Sequence, residues 1–417
     1  MATQTVNPAL APAVARLRAA GVGRRMVYVP GPGDVLGTFA QWAAGRDEAR
    51  LPNMAYSHQA YDVAAALGSD LLTLSQRPVP PGQAGPVEAR GATFRFAAMA
   101  PRGGAGLAYH LGQVRDARAI GRAARAHGAD LVAVERMLAH LWPLARAAAP
   151  ARLALSLHNT FWPMGQAPSA VQRAAGRLNA GAWRRQVDVT AVASAEIERQ
   201  LRALVGAPGR VALQLPLYDP AVLPATAPLP PPGPDTPFHI VFLGRLEPNK
   251  GVFTLTEAAR RLRAAGTPVA LSFAGDGSAA GALAAAGEPD TVLHGHLAGP
   301  EVFALLQRAH VLACPTTGGF PEGFAMTVVE AMLMGLPAVV SDVVPAAEHL
   351  EGRILIHRAG DAGDLAAQLA RVLQDSRGGG PLARGAPMRD PRFLTPAMTM
   401  ASRWIEGLDA ALAERQR

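Results

Sequence analysis

The segment FLGRLEPNKGV, residues 242–252, sets two cations five residues apart just beyond an apolar run. Gly244 allows a tight turn, so Arg245 and Lys250 fall on the loop at a strand's carboxyl end, before a helix. An arginine fork can grip two phosphate oxygens and a lysine adds a movable point charge, which together suit a diphosphate. Two solvated surface cations are the bland alternative. Lys250 has one further distinction: the chain holds 40 basic residues, and it is the single lysine among arginines.

The block PTTGGFPEGFAMTVVEAMLMGLPAVVS, residues 315–341, carries carboxylates in a complementary setting. The strand-like HVLACP runs into a glycine-rich loop, then Glu322 and Gly323, then a helix starting near Phe324. Gly335 fits the helix C-terminus and Pro337 the stop beyond it. A helix N-terminus presents free N–H groups and partial positive charge to an anion. Glu322 precedes that helix and can face a cleft. Glu330 lies mid-helix among Val328, Val329, Ala331 and Met332, where a carboxylate is costly unless it finds donors. A ribose diol would supply two; a solvent-facing helical glutamate is the alternative.

Weaker signals stand elsewhere. In AGDGS, residues 274–278, Gly275 follows a strand and permits close backbone approach, or is a simple turn. In LSLHNTFWP, residues 155–163, His158 sits just past a strand's end beside Asn159 and Thr160, open to a catalytic or sugar-contacting role or to a structural one. GPGDVLG, residues 31–37, has glycines with poor dinucleotide spacing, so Gly33 and Gly37 are expected on a flexible loop facing the cleft.

These loops need elements to hold them. MVYVP, LLTLS, LVAV, LALSLHN and VTAVASA read as buried strands separated by helical Ala/Arg/Leu segments such as VRDARAIGRAARAHGA. The alternation restarts after a proline-rich stretch, with HIVFLG, PVALSFAG, TVLHG, HVLACP, PAVVS and ILI. Strands alternating with helices imply parallel sheets covered on both faces. The expected division is a Rossmann-like domain over 1–216, a stiff linker over 217–237, a second such domain over 238–390, and a helical segment over 391–417. Ligands of such sheets bind beyond the carboxyl ends of the strands.

Composition removes other classes. The 417 residues suit two or three domains at roughly 100–200 residues each. Net charge is +8, yet no run of five basic residues occurs and aromatics are 5%, which argues against a nucleic-acid platform. The single cysteine, Cys314, excludes a disulfide or cysteine-based zinc site within one chain. No Asp-x-Asp pair, GxxxxGK[ST] loop or GxSxG elbow is present, so no metal ligand set, P-loop or hydrolase nucleophile is expected. The opening MATQTVNPALAPAVARLRAA lacks a signal-peptide pattern, and no apolar stretch of about 18 residues occurs. A cytoplasmic protein is expected, with a charge that allows peripheral contact at the inner membrane face.

Residues 239–350 resemble the glycosyl transferases group 1 family of retaining glycosyltransferases, through FLGRLEPNKG, LSFAGDGS and FPEGFAMTVVEAMLMGLPAVVS. The resemblance implies an α/β GT-B fold of two Rossmann-like domains, with the donor nucleotide on the second. It implies that Arg245 and Lys250 hold the diphosphate, Glu330 the ribose, and Glu322 the sugar hydroxyls. Gly275 and the backbone of Gly323, Phe324 and Ala325 would lie against the donor, and His158 near the transferred sugar. Two departures stand out: the family usually has glycine at Ala325, and a double-glycine loop where GPGDVLG stands.

The implied activity is metal-independent, cofactor-free transfer, with retention, from a nucleotide-diphosphate-sugar to an acceptor sugar, lipid-linked sugar or other hydroxyl compound, as in polysaccharide or glycoconjugate biosynthesis. A same-fold sugar phosphorylase, a nucleotide-sugar epimerase or a catalytically silent nucleotide-sugar-binding subunit are the alternatives.

Overall fold

A computed structural model describes residues 3–47, 51–100, 106–136, 139–226 and 229–417; positions 227 and 228 of the proline-rich linker lie outside the described residues. The first sheet contains β1 (Arg25–Val29), β2 (Asp70–Ser75), β3 (Val87–Ala89), β4 (Ala92–Ala98), β5 (Leu131–Val134), β6 (Arg152–Leu157), β7 (Val187–Val192) and β8 (Val211–Leu213). Their order is β3-β4-β2-β1-β5-β6-β7-β8. All neighbours are parallel except the β3–β4 pair. The strands β5 and β7 are buried at every residue, as Val-, Leu- and Ala-rich strands covered on both faces must be.

The second sheet holds β9 (Phe238–Leu243), β10 (Val269–Ala274), β11 (Thr291–Leu293), β12 (Val311–Cys314), β13 (Ala338–Ser341) and β14 (Ile354–His357). It is parallel throughout, in the order β11-β10-β9-β12-β13-β14. In each sheet the order reverses beside the first strand, which opens a crevice at the strands' carboxyl ends.

Two segments join the lobes, and they run together. Leu215 N–H donates to Met398 O at 2.8 Å, and Tyr218 N–H to Phe393 O at 2.9 Å. Leu215, Leu217, Tyr218 and Phe393 are buried, so the front of the proline-rich stretch is docked against structure rather than spanning solvent. Beyond it the helix Met400–Gln416 returns to the first lobe. Trp404, Ile405 and Leu408 are buried in the same apolar cluster as Tyr28, Phe94 and Val189, and Trp404 Nε1–H donates to Leu155 O at 3.0 Å. Among the described residues, no helix is long and apolar enough to cross a membrane.

The structure corrects one local expectation. Gly37 is not on a loop: it lies in the first turn of the helix Val35–Ala43. Asp34 caps that helix, accepting from Gly37 N–H at 3.0 Å, and Val35, Phe39 and Trp42 form its buried stripe. Gly33 remains in the loop before the cap.

Candidate functional site

A cavity of about 390 Å³ lies between the lobes, at the carboxyl ends of both sheets. The first lobe lines it with Gly33, Asn53, Tyr56 and Glu135, and the second with His296 and Met326.

On the second lobe, β9 ends at Leu243 and the chain turns through Gly244 to Arg245. A short 3-10 turn, Pro248–Lys250, then aims Lys250 back across the loop that follows β12. Lys250 Nζ lies 2.6 Å from Glu322 Oε2, and Thr316 Oγ1–H donates to the same oxygen at 3.1 Å. The Phe320 ring is shared by two cations: Lys250 Nζ is 4.1 Å from its centroid and Arg245 Cζ 5.2 Å. A ring face attracts positive charge, so Phe320 keeps both cations beside one another.

Close backbone approach explains two glycines. A Cβ on Gly275 would lie 1.9 Å from Gly244 O, so any other residue would push apart the loops after β9 and β10. A Cβ on Gly323 would lie 1.7 Å from His158 O, which makes Gly323 one point where the two lobes touch. The neighbouring Phe324 is buried, and its carbonyl accepts from Ala346 N–H at 3.0 Å. Ala325 follows with φ 73° and ψ 74°, the left-handed region, as the N-cap of the helix Met326–Leu333. That conformation costs an alanine about 1–2 kcal/mol.

Glu330, on the second turn of this helix, is 4% exposed. Tyr218 from the docked linker donates to Glu330 Oε1 at 3.4 Å, and burial pushes the carboxyl up to about 7 despite that bond. His158 comes from the end of β6. Its Nε2 is 2.9 Å from Ser156 Oγ, its Nδ1 3.2 Å from Gln214 Nε2, and its ring lies 3.9 Å from that of Tyr56, centroid to centroid, at a tilt of 43°. Burial lowers its pKa to about 3, so the ring is neutral at physiological pH, and its carbonyl is the group turned toward Gly323.

Arg245, Lys250, Glu322, Gly323 and His158 thus converge, with Glu330 one helix turn beyond. Gly33 lines the first-lobe wall of the cavity, while Gly37 is withdrawn into its helix. Sequence reasoning missed four contributors. Phe320 lies within residues 315–341 but carried no signal of cation stacking. Thr316 lies only six positions before the Glu322 it donates to, but nothing in its type marked it out, and Tyr218 acts through a contact remote in sequence. Glu135 faces the cavity from the end of β5, receives the Tyr28 hydroxyl's hydrogen bond, and is pushed up to about 7 by burial. Its place after an apolar strand was the one clue available.

Comparison with known proteins adds the family context. Residues 237–375 match the family model described as Glycosyl transferases group 1. Over 160 residues the chain is 32% identical to a glycogen synthase of Mycobacterium tuberculosis (strain ATCC 25618 / H37Rv), covering 37% of this chain and 38% of that protein. It is 29% identical over 182 residues to a D-inositol 3-phosphate glycosyltransferase of Arthrobacter sp. (strain FB24), covering 40% and 42%. The matched region thus spans less than half the length of these curated relatives. Among solved structures, Anabaena HepE in complex with UDP superposes with a TM-score of 0.57 at 15% identity, over 94% of this chain and 99% of that one. Sucrose-phosphate synthase from Thermosynechococcus elongatus gives 0.59 at 16%, over 94% and 98%. The chain has the GT-B architecture, with a second lobe that matches the glycosyl transferases group 1 model.

Proposed function

We propose that this chain is a glycosyltransferase that moves a sugar from a nucleoside-diphosphate sugar to an acceptor hydroxyl with retention of anomeric configuration. The observation that carries the reading is the Lys250–Glu322 pair, set between Arg245, the start of the helix Met326–Leu333, and His158 of the facing lobe. The family match and the names of the curated relatives support it.

In this reading the diphosphate displaces Glu322 from Lys250 and lies against Arg245 and the helix N-terminus. Glu322 is then free to accept from the sugar's hydroxyls, and Glu330 from the ribose. The bond between the anomeric carbon and the phosphate oxygen breaks, and its electron pair leaves with the diphosphate. The acceptor oxygen bonds the anomeric carbon from the same face, and its proton passes to the departing phosphate oxygen. Fixed positive groups aimed at the growing phosphate charge stabilise it without reorganisation, typically by about 3–4 kcal/mol per donor. Neutral His158, its two ring nitrogens held by Ser156 and Gln214, contributes shape rather than charge.

The test is a melting-temperature screen of nucleoside diphosphates and their sugar conjugates against the full chain. A specific ligand should stabilise it by mass action, and the strongest should support transfer to an acceptor. UDP and UDP-glucose come first, because HepE structures hold them. No shift with any nucleoside diphosphate would overturn the reading.

A further inference from the structure

A second cavity, of about 720 Å³, lies in the first lobe and opens beside the site. Its walls are mostly apolar, with Phe161, Trp162, Trp183, Leu201, Leu204 and Val205, and His110, Gln172 and Asn179 are among its polar members. One end is made by Gly319 and Pro321 of the second lobe, on the loop that carries Phe320 and Glu322. Gln166 of the first lobe ties down that loop, its Nε2–H donating to Gly318 O at 2.6 Å. A molecule filling the cavity would therefore reach the donor loop directly.

The helices around its mouth are unusual for a solvated surface. Tyr109 on the helix Gly106–His127 and Val171 on the helix Ala170–Gln186 both line it and both are exposed. Leu111 and Leu178 on the same helices are exposed too, Leu178 two turns from Val171 on one stripe. Four of the ten exposed large hydrophobics among the described residues thus sit on these two helices. Exposed arginines accompany them: Arg115 and Arg118 on the first helix, Arg173 and Arg177 on the second. Against these cations the two helices carry one acidic residue, Asp116. Exposed apolar side chains among an excess of cations complement an anionic lipid surface, and a mostly apolar cavity opening there complements a hydrocarbon chain.

We infer that the acceptor is an amphiphile: its hydrocarbon chain occupies this cavity while its hydroxyl-bearing head lies at the donor loop, and the two basic helices rest on the anionic membrane surface that supplies it. This deepens, and rests on, the glycosyltransferase reading.

Alkyl phosphates of increasing length are the probe, titrated into the full chain below their micelle concentrations while tryptophan emission is followed, since Trp162 and Trp183 line the cavity. From hexyl to octyl to decyl phosphate, Kd should fall about fourfold per added methylene. Ala175→Phe, which intrudes on the cavity wall away from the donor site, should weaken decyl phosphate at least roughly tenfold and leave the nucleoside-diphosphate melting shift unchanged. The chain should sediment with vesicles containing phosphatidylglycerol and not with pure phosphatidylcholine, and the Arg173→Glu/Arg177→Glu double variant should lose that binding. Chain-length-independent Kd values, an Ala175→Phe variant that binds like wild type, or equal sedimentation with both vesicle types would overturn the inference. So would a dimer that decyl phosphate dissociates, which would assign the cavity to a second copy of the chain. The melting shift, read on the same samples, reports separately on the donor-site reading.

Discussion

The ammonium of Lys250 and the carboxylate of Glu322 lie 2.6 Å apart, bridging the loop after β9 and the loop after β12. Both side chains are largely buried, and each is assigned a different part of the same donor. The pair keeps either charge from being stranded in the cleft before a donor arrives.

Lys250→Ala and Glu322→Gln should each lower kcat/KM by roughly tenfold or more without unfolding the chain. The double variant should lose less than the product of the two, because each single change already breaks the pair. Steady-state kinetics on the three variants, with circular dichroism to confirm folding, checks this. Multiplicative losses would mean that the two residues act independently.

Glu330 gives the stability a pH dependence of known sign. Its carboxyl is raised from 4.5 to about 7 in the folded chain. Between those values the unfolded chain has released this proton and the folded chain still holds it. Stability is therefore lost as pH rises through that window, by about 3 kcal/mol from this residue. Glu135, also raised to about 7, adds a loss of the same sign. Denaturant unfolding between pH 4.5 and 8 should show a shallower decline for Glu330→Gln than for wild type.

The same carboxyl should couple to nucleotide. On the proposed reading ribose hydroxyls would donate to the ionised form, so binding should release a proton below pH 7. Affinity for a nucleoside-diphosphate sugar, whose esterified phosphates do not titrate in this range, should rise with pH up to about 7 and then level off, and Glu330→Gln should remove the slope. Calorimetry in two buffers of different ionisation enthalpy measures the proton directly.

Ala325→Gly should stabilise the chain. It relieves the left-handed φ of 73°, and the added freedom of glycine when unfolded offsets part of the gain. The net effect should be up to about 1 kcal/mol. Thermal unfolding with and without nucleoside diphosphate reads it, and an unchanged or lower Tm would count against the strain.

Gly323→Ala should do the opposite through a single methyl group. The new Cβ would meet His158 O and force the lobes apart. Turnover should fall at least roughly tenfold, because misplacing facing groups by an ångström carries losses of that order or more. Small-angle scattering should show a wider separation of the lobes than in wild type.

Much of the second lobe was legible because its strands are continuous Val, Leu, Ala and Phe runs bounded by glycine or proline, and every segment read as a strand there is one. The first lobe was harder. The strand β4 alternates buried Ala92, Phe94 and Phe96 with partly exposed Thr93 and Arg95, and β3 is three residues long, so neither offered an apolar run. Gly37 was misplaced because spaced glycines suggested a loop, whereas the Asp34 cap and the Val35, Phe39 and Trp42 stripe demand a helix. Tyr218 could not be placed from sequence: it sits in a proline-rich stretch, and only the docking of that stretch brings its hydroxyl to Glu330, 112 positions on.

The return of the helix Met400–Gln416 to the first lobe bears on how the chain assembles. Trp404, Ile405 and Leu408 plug a core whose other parts emerge from the ribosome before the whole second lobe has been made. The earlier half must wait, partly open, for a wedge that arrives late, and expressing it alone should yield an aggregation-prone fragment. Truncating Trp404 to alanine should cost about 3–5 kcal/mol and melt the half that was synthesised first.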